Sequence, residues 1–401
     1  MSTLHVNVDA MAYHARERLL DRNAVFETFF MSEAPRLAEA SHQMSRRFLD
    51  GGRLLAFGSG AASTDAQHVS VEFVHPVIVG KRALPAIDLG PEFVSHLPVM
   101  IEPQDMAMGF AFSSGEYAIA QALHNARERG ALTFALAGAD ADYSFDRPSD
   151  DPFICQEVFE VLYHLLWETV HVYFEHREQG RDVGASAFLY PFLGTSQQNV
   201  EGVVKHVEDS MLQKMRELNR IRTEAAETQA DAISRVAAQI HTRLQRGGKI
   251  VVFGNGGSAT DANDFAIDCV APPKGIQPIP AISLSTEPAI ITAVANDVGS
   301  ESIYIRQLIA HNRPNDIAIG ISTSGSSPNI LSALGEARKR GLLTIGIAGY
   351  DGGRIKSDQL ADETLVVHSD YIPRIQEAQA SVYHTIRMCL DDCGREAATY
   401  A

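Results

Sequence analysis

Cysteine, positive charge and long apolar runs are all scarce in this 401-residue sequence. Its apolar stretches are short and strand-like, such as Ile250-Val251-Val252-Phe253. A membrane-spanning helix needs roughly 20 apolar residues, so no segment is expected to span a membrane as a helix. The opening Met1-Ser2-Thr3-Leu4-His5-Val6 lacks the charged-then-apolar layout of a secretory signal, and a cytoplasmic protein is expected. Four cysteines, Cys155, Cys269, Cys389 and Cys393, suit a reducing compartment. Cys389 and Cys393 lie one helical turn apart and read as ordinary reduced thiols. With 34 Lys and Arg against 50 Asp and Glu, the net charge is −16. That balance excludes nucleic acid and anionic membrane as general partners, because such binding rests on clustered cations. Any phosphate must be bound locally, by backbone amides, hydroxyls and helix N-termini.

What the sequence has is a repeat. Gly51-Gly52-Arg53-Leu54-Leu55-Ala56-Phe57-Gly58-Ser59-Gly60 recurs as Gly247-Gly248-Lys249-Ile250-Val251-Val252-Phe253-Gly254-Asn255-Gly256, an apolar strand ending in a glycine turn. Thr64-Asp65-Ala66-Gln67-His68 answers to Thr260-Asp261-Ala262-Asn263-Asp264, and Leu84-Pro85-Ala86-Ile87 to Ile279-Pro280-Ala281-Ile282. Ser113-Ser114-Gly115 matches Thr323-Ser324-Gly325, and Gln156-Glu157 with His164 matches Gln376-Glu377 with His384. Each half opens on helical periodicity, about 11–49 and 203–244, and continues as strands alternating with helices. That alternation predicts an α/β fold with a parallel sheet covered on both faces. The domains expected are 1–177 and 200–401, joined by a Gly-, Ser- and Gln-rich linker over 178–199; the second half carries an insertion around 294–307.

Ligands of such sheets bind beyond the carboxyl ends of the strands, where helix N-termini aim free amides at anions. In the second half two loops fall there: Gly254-Asn255-Gly256-Gly257-Ser258, and the hydroxyl-dense run from Ser322 to Ser327 with Pro328 opening the next helix. Hydroxyls with glycine at a helix start suit a phosphate monoester. In the first half, His68 and Glu72 share one helix face, and Gln156 and His164 share another. Together they make a plausible four-ligand site for zinc or another divalent ion.

On these residues the second half resembles phosphoheptose isomerases over nearly its whole length, through Gly254-Asn255-Gly256-Gly257-Ser258-Ala259, Ala295-Asn296-Asp297, Ser322-Thr323-Ser324-Gly325, Asp351-Gly352-Gly353 and Arg374-Ile375-Gln376-Glu377. The first half is similar but eroded. The resemblance implies two tandem SIS (sugar isomerase) domains, each a three-layer α/β/α, flavodoxin- or Rossmann-like parallel sheet. It implies Zn2+ or another divalent ion on His68, Glu72, Gln156 and His164, with Glu72 and His164 also moving protons, and His384 as their counterpart in the second half. It implies a sugar phosphate held by Asn255, Gly256, Gly257, Ser258, Asp297, Ser322, Thr323, Ser324, Ser327 and Gln376. The activity implied is aldose–ketose isomerisation, sedoheptulose 7-phosphate to a heptose 7-phosphate through an enediol, in a homodimer that mimics a tetramer.

The departures are specific. In the first half the phosphate loop reads Phe112-Ser113-Ser114-Gly115-Glu116-Tyr117, with a carboxylate where phosphate is expected, and Ser59 and Ala62 replace Asn and Ser. In the second half Asp264 and Asp268 stand where His and Glu are expected, leaving a weaker ion set of Asp264, Asp268, Gln376 and His384 that favours a harder metal. The rival expectation is a non-catalytic phosphosugar-binding or regulatory protein, like the SIS protein that associates with the replication initiator DnaA.

Overall fold

The computed structural model describes residues 8–78, 80–111, 116–136, 138–178 and 200–399. The chain divides into two compact units, Ala24–Glu217 and Leu218–Ala401 with Met1–Asn23. Both divisions fall inside long helices, α1 (Val8–Leu49) and α6 (Val200–Leu244), and not in the 178–199 segment, which apart from Glu178 lies outside the described residues. Among those described, no helix is long and apolar enough to cross a membrane.

In the unit Ala24–Glu217 the apolar runs become β1 (Leu54–Gly58), β2 (Ala86–Asp88), β3 (Met106–Phe110), β4 (Leu132–Leu136) and β5 (Tyr143–Phe145), all parallel in the order β2-β1-β3-β4-β5. β1, β3 and β4 are buried at every residue, which near-continuous apolar strands require when helices cover both faces. Those helices are α2 (Ala62–Val74), α3 (Phe93–Met100), α4 (Tyr117–Glu128) and α5 (Pro152–Glu178).

The other unit repeats the plan. Its strands are β6 (Ile250–Phe253), β7 (Ala281–Ser283), β8 (Ile317–Ser322), β9 (Leu343–Gly349) and β10 (Glu363–Val367), parallel in the order β10-β9-β8-β6-β7. Its helices are α7 (Gly257–Val270), α8 (Pro288–Asp297), α9 (Ile303–His311), α10 (Pro328–Lys339), α11 (Gly353–Ser357) and α12 (Ile372–Thr399). Between β7 and β8 stand two helices, α8 and α9, where the first unit has α3; α8 begins ahead of the 294–307 expected for the insertion, and its Ile291, Val294 and Ala295 pack on the core around Tyr304, Leu308 and Leu331.

The likeness of the two units extends to single hydrogen bonds. Asp142 accepts from the Thr133 amide and hydroxyl at 2.9 Å each, and Asp362 does the same with Thr344. Gly109 lies beneath Ile119 and Leu123, as Gly320 lies beneath Ile330 and Leu334. Counting from these two glycines to the helix starts sets Glu116 opposite Ser327, each the residue just before its helix.

Candidate functional site

In the unit Ala24–Glu217, α2 and α5 each bring ionisable groups to one buried point. His68, one and a half turns into α2, and His164, on the middle of α5, face each other with Nε2 atoms 3.4 Å apart. Glu160 lies one turn before His164, and one atom from each of His68, Glu160 and His164 falls within 4.8 Å of the others. Glu72 Oε1 is 3.8 Å from His68 Nε2. All four side chains are buried. Gln156 donates to Thr64 Oγ1 and Asp65 Oδ2 at 3.3 Å each, and Tyr163 donates to Asp65 at 3.4 Å. Burial, and then the neighbouring His164, hold His68 well below the usual imidazole range, which keeps it in the neutral, metal-binding form.

Of the four residues expected from the sequence, His68 and Glu72 lie on α2 and Gln156 and His164 on α5, whereas the ligand atoms that converge are those of His68, Glu160 and His164. The sequence reading missed Glu160. Its signal was spacing: it is four residues from Gln156 and four from His164. The donor set fits a divalent ion. Bonds of about 2.0–2.1 Å in a tetrahedron place neighbouring ligand atoms about 3.3 Å apart, close to the separation of the two imidazole nitrogens.

The second unit builds the corresponding point from α7 and α12. His384 Nε2 is 3.3 Å from Asp264 Oδ2 and 3.2 Å from Asp268 Oδ2, and Tyr383 donates to Asp264 at 3.0 Å. Asp264, Asp268 and His384 form a buried group with ligand atoms mutually within 4.8 Å. Burial, reinforced by Asp264 and opposed by His384, pushes the Asp268 carboxyl up to about 7. Two close buried carboxylates repel unless a proton or cation lies between them. Gln376 is buried two turns before His384 on α12, and Ala380 stands where the first half has Glu160.

The hydroxyl-rich loop sits at the carboxyl end of β8. Ser322 and Ser327 hydroxyls are 3.3 Å apart, and the Ser326 amide donates to Ser324 Oγ at 3.2 Å. Ser327 precedes α10 without capping it through its side chain, so the start of a 12-residue helix faces the loop uncapped by that hydroxyl. Gly325 and Gly353 lock the loop to the turn before α11. A Cβ on Gly325 would come 2.3 Å from Gly352 O, and one on Gly353 2.3 Å from Ser324 O. Beside it, Gly256 has φ of 56° and opens α7, which carries Gly257 and Ser258 in its first turn. Asn255 exchanges hydrogen bonds with Asn329, at 2.9 and 2.7 Å, a partner the sequence reading did not single out. Gly349 lies between Thr323 O and Ile375, so Ile375 at the start of α12 packs beside the base of the same loop. Asp297 ends α8, exposed, with its carboxylate accepting from Asn296 at 2.8 Å.

In the first half, residues 112–115 lie outside the described residues. Glu116 does not, and Ser59, at the place of Asn255, donates its hydroxyl to the Glu116 carboxylate. A carboxylate of the protein thus stands beside the residue that precedes the helix-opening turn of the first half.

The family profile of the SIS domain matches residues 215–349. A phosphoheptose isomerase from Pelobacter propionicus is 45% identical over 152 residues, 38% of this chain and 79% of that protein. Another from Aquifex aeolicus is 40% identical over 181 residues, 44% of this chain and 94% of that protein. The C-terminal domain of glucosamine-fructose-6-phosphate aminotransferase from Francisella tularensis shares the fold at a TM-score of 0.54, 9% identity, 93% of this chain and 96% of that one.

Proposed function

Because the chain belongs to the phosphoheptose isomerase family of SIS-domain proteins, we propose that it interconverts sedoheptulose 7-phosphate and a heptose 7-phosphate through an enediol. The observation that carries this reading is the intact hydroxyl loop of the second half, Ser322 to Ser327, standing at a helix start in the same unit as the buried Asp264, Asp268 and His384 group. The phosphate accepts from Ser322, Thr323, Ser324 and Ser327 and from amides at the starts of α7 and α10, with Asn255, Gly256, Gly257, Ser258 and Gln376 completing the enclosure; Asp297 is assigned to the substrate on the resemblance. Anchoring the remote phosphate fixes the carbonyl end of the sugar. His384 then takes the proton from C1 and returns it at C2; Glu72 and His164 are the proton-moving groups at the equivalent point of the first half. A divalent ion, zinc in the first half or a harder metal in the second, is held by His68, Glu72, Gln156 and His164 or by Asp264, Asp268, Gln376 and His384, and supplies Lewis-acid polarisation of the carbonyl when bound.

Two copies of the chain associate as a homodimer, the protein works in the cytoplasm, and the duplicated segments are 1–177 and 200–401. The first measurement is turnover of sedoheptulose 7-phosphate by the purified chain, followed by the appearance of aldose. Ser327→Ala should raise KM about 10-fold or more with a smaller change in kcat, since a hydrogen bond to a charged group contributes about 1.5–3 kcal/mol. Tight binding of the sugar phosphate without turnover would replace the isomerase by a phosphosugar-binding protein, a reading favoured by Asp264 and Asp268 and by Glu116.

A further inference from the structure

The geometry points to Glu160 as a metal ligand of the first half: His68, Glu160 and His164 converge as two imidazoles and a carboxylate, with Glu72 beside them. It rests on the reading above that this half holds a divalent ion, and it changes the ligand set that the resemblance implies.

Three observations support it. The three ligand atoms lie mutually within 4.8 Å, and the two imidazole nitrogens are already at the edge length of a tetrahedral zinc site. Glu160 is buried, on a stretch of α5 where Val158, Phe159, Val161 and Leu162 are fully enclosed, so its carboxyl stands out of water at the point it shares with the two imidazoles. Gln156 and His164 recur in the second half as Gln376 and His384, but Glu160 is replaced there by Ala380, so the carboxylate belongs to the first half alone.

An additional anionic ligand has two chemical consequences. It raises affinity for the dication, and it lets Glu72 act on a proton without being needed as the sole carboxylate ligand. A site of two imidazoles and a carboxylate also keeps borderline metals such as zinc or iron(II), whereas the two aspartates and single histidine of the second half suit manganese or magnesium better.

The test is titration of the metal-free full chain with zinc, against a chromophoric chelator, and with cobalt(II), read by its visible absorption. The class of site lost in His68→Ala is the first-half class. Glu160→Gln, which keeps the side-chain shape, should weaken that class by about 10-fold or more and shift its cobalt absorption, leaving the other class unchanged. Thermal melts followed by circular dichroism confirm that the variant is folded. Glu160→Ala provides a second variant that leaves a gap of different shape at the same point. The inference is overturned if either folded variant binds zinc in that class within about 3-fold of the unmodified chain with an unaltered cobalt spectrum. It is equally overturned if His68→Ala removes no class at all. Turnover measured on the unmodified chain reports separately on the isomerase reading: absent turnover with intact zinc binding refutes that reading and leaves the ligand assignment standing.

Discussion

At the scale of single residues, the two halves differ by exchanges of polar and ionisable groups at equivalent points. Glu116 stands at the place of Ser327, Ser59 at that of Asn255, Asp264 at that of His68, Asp268 at that of Glu72, and Ala380 at that of Glu160. Each exchange alters what can bind: a carboxylate before α4 repels phosphate, and aspartates in place of an imidazole and glutamate harden the ion site. Glycine positions show how tightly the intact loop is held. Gly353 has φ of 51° and approaches Ser324 O and Ser326 Oγ, so Gly353→Ala meets both a strained backbone and a collision with the loop. The expected result is a loss of more than about 1 kcal/mol of stability together with a raised KM for the sugar phosphate, measured by denaturant titration and steady-state kinetics.

At the scale of elements, one device recurs at the foot of the central strands. Asp105, fully buried before β3, accepts from the Arg53 and Glu102 amides at 2.8 and 3.0 Å and pairs with the Arg53 guanidinium at 2.6 Å. Asp316, before β8, accepts from the Lys249 and Arg313 amides at 3.0 and 2.9 Å and pairs with Lys249 Nζ at 2.5 Å. Gly52 and Gly248 permit the approach, since a Cβ there would lie 2.1 Å from Gln104 O or 2.2 Å from Asn315 O. Each aspartate therefore ties the turn before its strand to the start of the neighbouring strand. Asp316→Ala strands two amides and a lysine and should cost about 3–5 kcal/mol, seen as an earlier urea midpoint. Lys249→Met should cost less, because the lysine side chain is a quarter exposed and the amide bonds to Asp316 remain.

At the scale of the whole molecule, the described residues hold two buried groups of a kind that could take an ion, and one complete hydroxyl loop at a helix start. Equilibrium dialysis with the sugar phosphate is expected to give one bound molecule per chain; two would show that Glu116 does not block the first half. Zinc should raise the unfolding temperature, because an ion bound only by the folded state adds about 2.7 kcal/mol per site at a hundredfold excess over its Kd. Chelator should reverse the rise, and the combined His68→Ala and His384→Ala chain should show none.

The sequence by itself determined what is local and periodic. The run Ser322 to Ser327 carries its hydroxyls, glycine and helix-opening proline within a few residues, and the α/β alternation follows from apolar runs between amphipathic helices. The duplication was legible because the glycine turns and the Gln-Glu…His patterns kept their order. Tertiary structure decided what depends on distance in the chain. His68 and His164 are 96 residues apart, and only the packing of α2 on α5 brings their nitrogens to 3.4 Å and picks Glu160 out from the other glutamates of α5. The buried aspartates at the feet of the strands were hidden for the same reason, since an isolated Asp before a strand carries no sign of the amides it will meet. Even the division into units lies within α1 and α6, because an unbroken helical period contains nothing that marks where its packing partners change.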